Sequence, residues 1–545
     1  MNKQTIDSRL YRQMVASGAE NLKRYAQEIN DLNVFPIPDG DTGDNMLLTV
    51  SGGANADVSE TLGRTARNVA DGMLLSARGN SGVILSQFFD GIADSLLSND
   101  RKEADAEEIA DAMLTGVSHA YNAVLTPTEG TILTVAREAS EYAHDKNSDS
   151  VEDFFLDFLY EANNSLTRTP DLLPTLKKAG VVDSGGAGLI KIVEGMLQAL
   201  TGKEVEYAEP SSAKESKNQI DLNKFTEDSV LEFGYCTEVL VCLQNAKTDI
   251  ANFDTTVVTD FLKTVGDSVV CFKNGSILKI HVHTMTPDKV LAFCRQYGEF
   301  LTVKIENMTL QHNSLDDSKE EQKERKKYAV VTVASGDGIR EMFSELGADC
   351  VINGGQSMNP SAADFIDAFN EVNADTIFVL PNNGNIILTA KQAADLYKGS
   401  KVFVIPSKTL GEGHAALTML DLNPEDPKAI ADEMTDSMEG VVTAAVSTCS
   451  RDTSTDGFEL YSGEFIGFSG DTILSADNDR VDTAKRLVDG MDFDSHEICI
   501  LISGKDADEK ETEEIRKYIG EKHPMCEVYD VDGGQSIYHY VLILE

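Results

Sequence analysis

The spacing of apolar residues changes twice along the chain, and each change follows a stretch that is too polar to form a core. The two polar stretches run from about Glu209 to Asp228 and from His312 to Lys327. Segments of this composition bury too little apolar surface to fold alone. We therefore divide the 545 residues into three parts, 1–205, 229–311 and 328–545, and a chain of this length has room for several cores.

The first part, residues 1–205, has the apolar spacing of helices almost throughout. Apolar residues recur three and four positions apart in the segments Asp7–Gln27, Ser59–Leu75, Ala104–Val124 and Val151–Thr167. Loops that contain glycine or proline separate these segments. The pattern predicts an all-helical domain of about eight helices.

The other two parts contain strands. In residues 229–311, four strand patterns and two helix patterns follow one another in the order β-α-β-β-α-β, which predicts a ferredoxin-like α+β middle domain. In residues 328–545, strand patterns alternate with helix patterns, and several strands are continuous apolar runs of the kind found in buried parallel sheets. This pattern predicts an α/β C-terminal domain, which could form two lobes.

The charge and cysteine content exclude several classes of function. The chain has 47 basic and 91 acidic side chains, a formal net charge of −44, which disfavours binding to nucleic acid and to anionic membrane surfaces. It has no apolar run of 18 residues and no apolar leader at its start, so we expect neither a membrane span nor secretion. The eight cysteines show no CxxC spacing, which favours a reducing, cytoplasmic location.

An acidic turn is the most informative motif of the first part. In the segment NVFPIPDGDTGDN, Asp39, Asp41 and Asp44 fall within six residues, beside two prolines and two glycines. Carboxylates held this close repel one another unless a cation lies between them, and ligands that are all oxygen suit Mg²⁺. The alternatives are a solvated turn, or Asp44 as a cap of the following helix.

Three further loops with glycine each precede an apolar helix. They are Ala77–Gly82 (ARGNSG), Glu129–Thr131 (EGT) and Asp183–Gly188 (DSGGAG). Small residues at a helix start expose backbone N–H groups to an anion, and Arg78 could clamp a phosphate. One such loop is ordinary connection chemistry, but four in one helical domain favour a phosphate site. The chain has no P-loop, protein-kinase or dinucleotide-binding motif, so any nucleotide site belongs to a less common fold.

The four motifs NVFPIPDGDTGDNM, SARGNSGVILSQFF, GTILTV and VVDSGGAGL together resemble the DhaL-type nucleotide domain of the dihydroxyacetone kinase family. Over essentially its whole length, the chain resembles the ATP-binding A subunit of bacterial fatty acid kinase. The resemblance implies an eight-helix barrel whose loops hold Mg–ATP at one end, with two Mg²⁺ ions. It also implies a homodimer formed through the middle domain and a C-terminal domain that docks a fatty-acid-binding B subunit.

The resemblance also assigns residues in the first part. Asp39 and Asp41 match the two central magnesium-binding aspartates, whereas Asn33 stands where the sugar kinases carry a further aspartate, so that only an amide oxygen could coordinate there. The nucleotide contacts that the resemblance implies are Asn80, Ser81 and Gly82 in the phosphate loop, Thr131, and Asp183 near the nucleoside.

A second group of candidate residues lies in the middle domain. His281 and His283 occupy alternate positions of one strand, and in a ferredoxin-like order Cys236 would lie opposite the end of that strand. One cysteine and two histidines could bind Zn²⁺ or form a nucleophile–base pair, and two exposed or packed histidines are the alternative. The resemblance implies that these three residues matter for activity without deciding between metal ligation and direct catalysis.

The C-terminal part carries loops after its strand patterns that contain Asn382, Asn383 and Asn385 and the segment Gly411–His414. Loops at strand ends bind ligands in α/β sheets, but plain turn chemistry is the simpler explanation of these residues. The function that the resemblance implies is phosphorylation of a fatty acid carried by the B subunit. A kinase of a small hydroxy compound such as dihydroxyacetone and a non-catalytic, nucleotide-sensing scaffold are the alternatives.

Overall fold

A computed structural model of the protein describes residues 5–32, 40–124, 126–202, 235–248, 250, 253, 255–274, 277–307, 325–355, 359–422 and 426–545. The chain forms two compact units. One combines Met1–Tyr207 with Glu324–Glu545, and the other is Ala208–Lys323. Most of both polar stretches, and the positions Asn33 and Asp39, lie outside the described residues. No helix in the described ranges is both long enough and apolar enough to cross a bilayer.

The N-terminal half of the first unit is helical, as predicted. Its described residues form α1 (Ser8–Asn30), α2 (Thr42–Ala54), α3 (Leu62–Ser76), α4 (Gly79–Asn99), α5 (Ala106–Asn122), α6 (Ile132–Lys146), α7 (Val151–Leu172), the short α8 (Pro174–Ala179) and α9 (Ser184–Thr201). The two-residue strands β1 (Ile6–Asp7) and β2 (Glu103–Ala104) pair antiparallel at the edge. The side chains of Asp7 and Asp105 cap α1 and α5. These two helices therefore begin at Ser8 and Ala106, one and two residues after the predicted starts.

Close helix packing in this domain depends on small residues. A Cβ atom on Gly18 of α1 would lie 2.8 Å from the carbonyl oxygen of Ile192 in α9, and one on Gly195 would lie 2.4 Å from that of Ser17. The two helices can therefore approach backbone to backbone, and their apolar faces join one core that extends through the domain.

The second unit contains the predicted order of elements. These are β3 (Tyr235–Leu243), α10 (Thr256–Val265), β4 (Gly266–Asn274), β5 (Ile277–Thr284), α11 (Pro287–Cys294) and β6 (Gly298–Asn307). The strands form one sheet in the order β4-β5-β3-β6, and every neighbouring pair is antiparallel. Its core joins Val239, Val241 and Ile280 of the sheet to Val258 and Leu262 of α10.

The C-terminal half of the first unit is a mixed α/β domain, as predicted. Its first lobe contains β7 (Lys326–Ala334), α12 (Asp337–Glu345), β8 (Cys350–Asn353), α13 (Ala362–Val372), β9 (Ala374–Leu380), α14 (Ile387–Leu396), β10 (Lys401–Val404), α15 (Leu410–Thr418) and α16 (Pro427–Asp436). The second lobe contains β11 (Val442–Thr448), β12 (Thr453–Thr455), β13 (Phe458–Leu460), β14 (Phe465–Ser469), β15 (Thr472–Asp477), α17 (Arg480–Gly490), β16 (Ile498–Ser503), α18 (Glu509–Lys522), β17 (Glu527–Asp532) and β18 (Tyr538–Leu544).

The two lobes contain different sheets. The first sheet has the order β10-β9-β7-β8 and is parallel throughout, whereas the second has the order β15-β14-β11-β18-β16-β17 and only β16 and β17 run parallel. The expectation that continuous apolar runs mark parallel strands is therefore wrong for β11 and β18, which pair antiparallel. These strands are apolar throughout because both of their faces are buried: Ala445 and Val541 face the core shared by the two lobes, and Val446 and Leu542 face α17 and α18.

Candidate functional site

The four glycine-bearing loops precede α2, α4, α6 and α9, and contacts between the helix starts bring these loops to one end of the helical domain. The hydroxyl of Ser184 at the start of α9 lies 3.3 Å from that of Thr42 at the start of α2. The backbone N–H of Arg78, before α4, donates to the hydroxyl of Thr49 in α2 at 3.3 Å. The backbone N–H of Ile132, at the start of α6, donates to the carboxylate of Asp183.

Asp41 occupies the cap position of α2 without capping it through its side chain. Its Oδ2 atom accepts a hydrogen bond of 2.5 Å from the Nδ2 atom of Asn359. Burial raises the pKa of Asp41 to about 6, the hydrogen bond from Asn45 opposes this rise, and the neighbouring charge of Asp44 adds to it. In the described part of the chain, this carboxylate is thus held by amides and has no salt bridge with a cationic side chain.

The turn that carries Asp41 is fixed by Asn30 at the end of α1. The side-chain oxygen of Asn30 accepts the N–H of Gly43 at 2.7 Å, and its Nδ2 atom donates to Asp44 at 3.0 Å. A Cβ atom on Gly43 would lie 2.3 Å from the carbonyl oxygen of Ala26, so only glycine allows α2 to pack this closely on α1. Asp44 is therefore engaged within the protein, while Asp39 and Asn33 lie outside the described residues.

The loop Ala77–Gly82 at the start of α4 packs closely on α2, which is possible only because it contains glycines. Gly79 has φ +59°, and a Cβ atom there would lie 2.7 Å from Nδ2 of Asn45. A Cβ atom on Gly82 would lie 2.4 Å from the hydroxyl of Thr49. The side-chain oxygen of Asn80 is buried and has no hydrogen-bond partner among the described residues. Ser81 lies between these positions, in the first turn of the helix.

Thr131 and Asp183 are helix caps in the structure. Thr131 accepts the N–H of Leu133 at 3.4 Å and donates to the carbonyl of Thr128 at 2.8 Å. Asp183 accepts the N–H of Gly186 at 2.7 Å, and burial raises its pKa to about 6 despite this bond. The capping roles explain both residues locally, but a buried carboxylate with a raised pKa is also typical of functional sites.

The C-terminal domain contributes a residue that the sequence did not reveal. Besides donating to Asp41, Asn359 accepts a 2.5 Å hydrogen bond from the Arg78 guanidinium at its backbone oxygen. A second nitrogen of Arg78 lies 3.5 Å from Asp364, so this side chain is directed to the C-terminal domain. Asn359 is 2% exposed, and its own Oδ1 atom has no partner among the described residues. The motif around it, QSMNPS, carries no signal beyond an Asn-Pro turn.

Other contacts fix the C-terminal domain over the loop Ala77–Gly82. Gln392 of α14 is 6% exposed; its Nε2 atom donates to the carbonyl of Leu74 at 2.6 Å, and its Oε1 atom accepts from the side chains of Ser86 and Gln87. The backbones of Arg78 and Ser361 form an antiparallel bridge. Buried amide groups satisfied across an interface indicate a specific contact.

The structure describes the backbone of the Cys–His–His group. In the antiparallel pairing of β3 with β5, Cys236 lies directly opposite His283, and His281 lies opposite Glu238. The register thus places the three residues at neighbouring positions of two adjacent strands. The zinc and nucleophile–base alternatives remain predictions.

A different cluster has the spacing of a metal site. Among the described residues, Asp90, Asp94 and His119 are the one group of three whose ligand atoms all lie within 4.8 Å of one another. Arg67 from α3 already bonds both carboxylates, at 2.5 and 3.0 Å. Because the guanidinium pairs with both carboxylates, we assign the cluster a structural role.

The residues around Asp41 fit a magnesium–phosphate group. A buried carboxylate lacks a cationic partner, the side-chain oxygens of Asn80 and Asn359 lack donors, and the close contacts at Gly79 and Gly82 leave no room for larger side chains. Oxygen-only donors are the ligands that Mg²⁺ prefers, and the start of α4 supplies backbone N–H groups for phosphate.

Three family models match consecutive parts of the chain. Residues 36–198 match the DAK2 domain, residues 232–315 the middle domain of the FakA-like fatty acid kinase proteins, and residues 329–545 the C-terminal domain of those proteins. Protein YloV of Bacillus subtilis (strain 168) is 40% identical over 566 residues, covering 100% of both chains. An uncharacterized protein of Staphylococcus aureus (strain MRSA252) is 37% identical over 99% of both chains.

Solved structures resemble parts of the fold at a distance. A dihydroxyacetone kinase from C. freundii in complex with AMP-PNP and Mg²⁺ has a TM-score of 0.29 and 17% identity, over 36% of this chain and 35% of that one. A fatty-acid-binding DegV family protein from Thermus thermophilus has a TM-score of 0.30 and 14% identity, over 40% of this chain and 100% of that one. At this level of similarity, no functional residue is transferred from them.

Proposed function

Because the chain belongs to the FakA-like family of fatty acid kinase proteins, as its motifs predicted, we propose that it transfers the γ-phosphoryl group of ATP to a fatty acid. The acid is presented by a fatty-acid-binding B subunit, and the products are acyl-phosphate and ADP. The observation that carries the proposal is the buried carboxylate of Asp41 beside the phosphate loop of α4, in a chain whose three consecutive segments match kinase families.

The chemistry of this transfer makes few demands on the protein. A fatty acid carboxylate is ionised at neutral pH, so its oxygen can attack the γ-phosphorus without a general base. The bond from the γ-phosphorus to the β–γ bridging oxygen breaks, and ADP leaves with that oxygen. Mg²⁺ ions would supply neutralisation of the phosphate charge. The tasks of the chain are to position the phosphates and to exclude water.

We assign the positioning roles as follows. Asp41 and Asp39 would hold Mg²⁺, and we propose two ions. The backbone N–H groups at Gly79–Gly82 hold the phosphates, as expected for a helix start. Thr131 and Asp183 border the nucleoside, and Asn359 orients Asp41 through its 2.5 Å hydrogen bond.

Several finer assignments complete the proposal. The domain boundaries are 1–205, 229–311 and 328–545, and the order of strands β4-β5-β3-β6 supports a ferredoxin-like middle domain. The middle domain pairs two copies of the chain and carries the second essential site at Cys236, His281 and His283, with or without Zn²⁺. A cytoplasmic location fits Cys242, Cys350, Cys449, Cys499 and Cys526, none of which forms a disulfide in the described part of the chain.

The decisive experiment measures ATP consumption and traps the product. Purified protein is incubated with Mg²⁺ and ATP, with or without oleate loaded on a fatty-acid-binding B subunit, and hydroxylamine converts any acyl-phosphate to a hydroxamate. We expect ADP and hydroxamate in equal amounts only when lipid and partner are both present. The variant Asp41→Ala should be folded and inactive.

Other outcomes would replace the proposal. Turnover with dihydroxyacetone alone, without hydroxamate, would establish a kinase of small hydroxy compounds. No turnover under any condition, in a folded protein that binds Mg–ATP, would favour a nucleotide-sensing scaffold. Full activity of Asp41→Ala would remove the assignment of the site.

A further inference from the structure

The C-terminal domain reaches the carboxylate of Asp41 through one buried side chain. Asn359 is 2% exposed, and its Nδ2 atom donates to Oδ2 of Asp41 at 2.5 Å across 318 positions of the chain. Asp41 is the residue to which we assign a cation, so a second domain touches the proposed cation site directly. The contact belongs to that site as well as to the interface between the two domains.

The segment that carries Asn359 is fixed to the helical domain by its backbone. The carbonyl oxygen of Asn359 accepts from the Arg78 guanidinium, and the backbones of Arg78 and Ser361 form an antiparallel bridge. The N–H of Ala362 donates to the carbonyl of Ala77 at 3.3 Å. Ser361 also caps α13 with a complete capping box. The position of the Asn359 side chain is therefore set by both domains.

The other polar atom of this amide is left without a partner. Oδ1 of Asn359 is buried and accepts no hydrogen bond in the described part of the chain, which costs free energy. Gln392 in the same interface shows the contrast. Its Nε2 atom donates to the carbonyl of Leu74, and its Oε1 atom accepts from Ser86 and Gln87. The interface can thus satisfy a buried amide completely, and it does not do so at Asn359.

An amide beside a carboxylate can serve the site with and without a cation. Without a cation, the N–H group of Asn359 faces Asp41 and stabilises its charge. A half-turn of the amide exchanges its two polar atoms, so that Oδ1 takes the position of Nδ2 next to the carboxylate. Two oxygens at that distance repel each other unless a cation binds both, and carboxylate and amide oxygens are ligands that Mg²⁺ accepts.

We propose that Asn359 is a ligand of the cation that Asp41 holds, so that the cation site is shared between the helical domain and the C-terminal domain. The inference rests on the proposed function, from which it takes the cation, and adds a ligand from the other end of the chain. A cation bound to both domains holds them together. By linkage, docking of the domains strengthens cation binding by the same factor.

The first test measures binding of Mn²⁺ to the full chain without nucleotide, by the electron paramagnetic resonance signal of the free ion. Mn²⁺ takes the same oxygen ligands as Mg²⁺. The relevant binding is the part that is lost in Asp41→Asn, which separates this site from any other on the chain. We expect Asn359→Leu, which keeps the size of the side chain, to weaken that binding about 10-fold.

The outcomes separate this inference from the proposed function. If Asp41→Asn binds Mn²⁺ as tightly as the unmodified chain, the cation site of the proposed function is wrong, and the inference is wrong with it. If Asp41→Asn loses binding and Asn359→Leu retains it, the inference alone is overturned. Tighter binding by Asn359→Leu, or no binding of Mn²⁺ by the unmodified chain, would also overturn it.

A second variant distinguishes a ligand from a residue that only orients Asp41. Asn359→Cys replaces the amide by a thiol, and thiolates select soft metals. With Cd²⁺ we expect an ultraviolet thiolate–metal absorption band beyond that of the unmodified chain, and its loss in the double variant with Asp41→Asn. Asn385→Cys is the matched control, because Asn385 contacts Asn80 at 3.4 Å and does not reach Asp41. No added band in Asn359→Cys, or an equal band in both variants, would overturn the proposal.

The linkage between docking and cation binding is tested away from the site. Gln392→Leu removes three interface hydrogen bonds without touching Asp41, and we expect it to weaken binding of Mn²⁺ about 5-fold. Asn21→Leu is the control, because Asn21 is 4% exposed and its amide donates to the carbonyl of Lys191 within the helical domain. Both variants should melt at a lower temperature, and only Gln392→Leu should lose affinity. Equal affinities of the two variants for Mn²⁺ would show that the site is not shared.

Discussion

The helical domain carries two groups of aspartates whose surroundings differ. In the first group, Asp90 and Asp94 converge on Arg67, with nitrogen–oxygen distances of 2.5 and 3.0 Å, and His119 lies 3.0 Å from Asp90. Burial lowers the pKa of Arg67, but its hydrogen bond to Asp90 and the charges of Asp90, Asp71 and Asp94 outweigh this and hold the pKa above its usual value. Both acids of this group therefore have a cationic partner within the protein.

The second group has no such partner among the described residues. Asp41 is held by the amide of Asn359, and Asp183 is held by backbone N–H groups. Burial raises the pKa of both carboxylates to about 6. Neutral donors reduce the free-energy cost of burying a carboxylate without cancelling it. A cation that binds beside these residues would remove the remaining cost, which favours its binding.

In this domain, clustering of acidic side chains is a weaker sign of a metal site than the lack of a cationic partner. Distance alone selects Asp90, Asp94 and His119, whose ligand atoms lie within 4.8 Å. Electrostatics selects Asp41 instead, since its carboxylate is buried next to loops that can hold phosphate. The same Asp→Asn substitution should therefore reduce turnover in the second group and leave it nearly unchanged in the first.

The largest expected effect is on catalysis. Asp41→Asn keeps the shape of the side chain but removes the charge that would hold Mg²⁺, so we expect turnover to fall about 1,000-fold, the order seen when a charge-stabilising group is removed. Its free energy of unfolding at pH 7 should be unchanged or higher, because an unpaired buried charge has been removed. Steady-state kinetics and urea denaturation of the same preparation measure both quantities.

The matched control is the same substitution in the first group. Asp94→Asn removes a half-exposed carboxylate that pairs with Arg67 and lies 4.0 Å from His119. We expect turnover within about 2-fold of the unmodified protein and a loss of less than about 1 kcal/mol of stability. If Asp94→Asn abolished turnover as Asp41→Asn does, the first group would be the functional one.

The second expected effect is on stability. Arg67→Met leaves Asp90 partly buried without its cation, and we expect the free energy of unfolding to fall by about 2–3 kcal/mol, less than for a fully buried pair because both side chains retain some exposure. Urea denaturation measures this loss. Arg64→Met is the control, since its ion pair with Asp100 is exposed and should contribute less than about 0.5 kcal/mol. Equal losses for the two variants would contradict the structural role of Arg67.

The two groups also differ in how visible they are in the sequence. Asp41 and the phosphate loop lie in short contiguous motifs, where crowded acids and glycines indicate their chemistry directly. Arg67, Asp90 and His119 belong to three helices and meet only through packing. Asn359 lies 318 residues from Asp41, and no local pattern marks it. Sites that are formed by tertiary contacts therefore cannot be predicted from single sequence segments.

The fold shows the same division between local and long-range information. Helices with clear spacing and the order of elements in the second unit were predictable, because each element carries its own pattern. The direction of β11 and β18 was not, since burial of both faces produces the same apolar run in parallel and antiparallel strands. The short strands β12 and β13 carry no readable pattern, because three residues are too few to show alternation.

A third prediction concerns pH. The pKa of Asp183 is about 6 in the folded protein against 3.8 as its ordinary value, so the folded state binds more protons between these limits. Stability therefore falls as pH rises from about 4 to about 6 and is level above that. Asp183→Asn keeps a capping side chain but does not ionise, so at pH 7 we expect it to be more stable by about 3 kcal/mol at most.

Urea denaturation at pH 4, 5, 6 and 7 measures this difference between Asp183→Asn and the unmodified protein, and other carboxylates cancel in the comparison. The gap between the two should be near zero at pH 4 and should open as pH rises. A stability difference that is constant with pH would show that burial does not raise the pKa of Asp183. Asp183 would then be as well compensated as the acids of the first group.

The smallest expected effect comes from Asn359, whose amide could either assist or oppose metal binding at Asp41. Asn359→Ala removes the 2.5 Å hydrogen bond that orients the carboxylate, and we expect KM for Mg–ATP to rise about 5-fold with little change in kcat. Asn385→Ala is the control, because its contact with Asn80 is long at 3.4 Å and does not reach Asp41. A fall in KM for Asn359→Ala would mean that the amide competes with the cation for the same oxygen. The C-terminal domain would then block metal binding at Asp41 through Asn359. The lack of a cationic partner at Asp41 would be a property of this closed state.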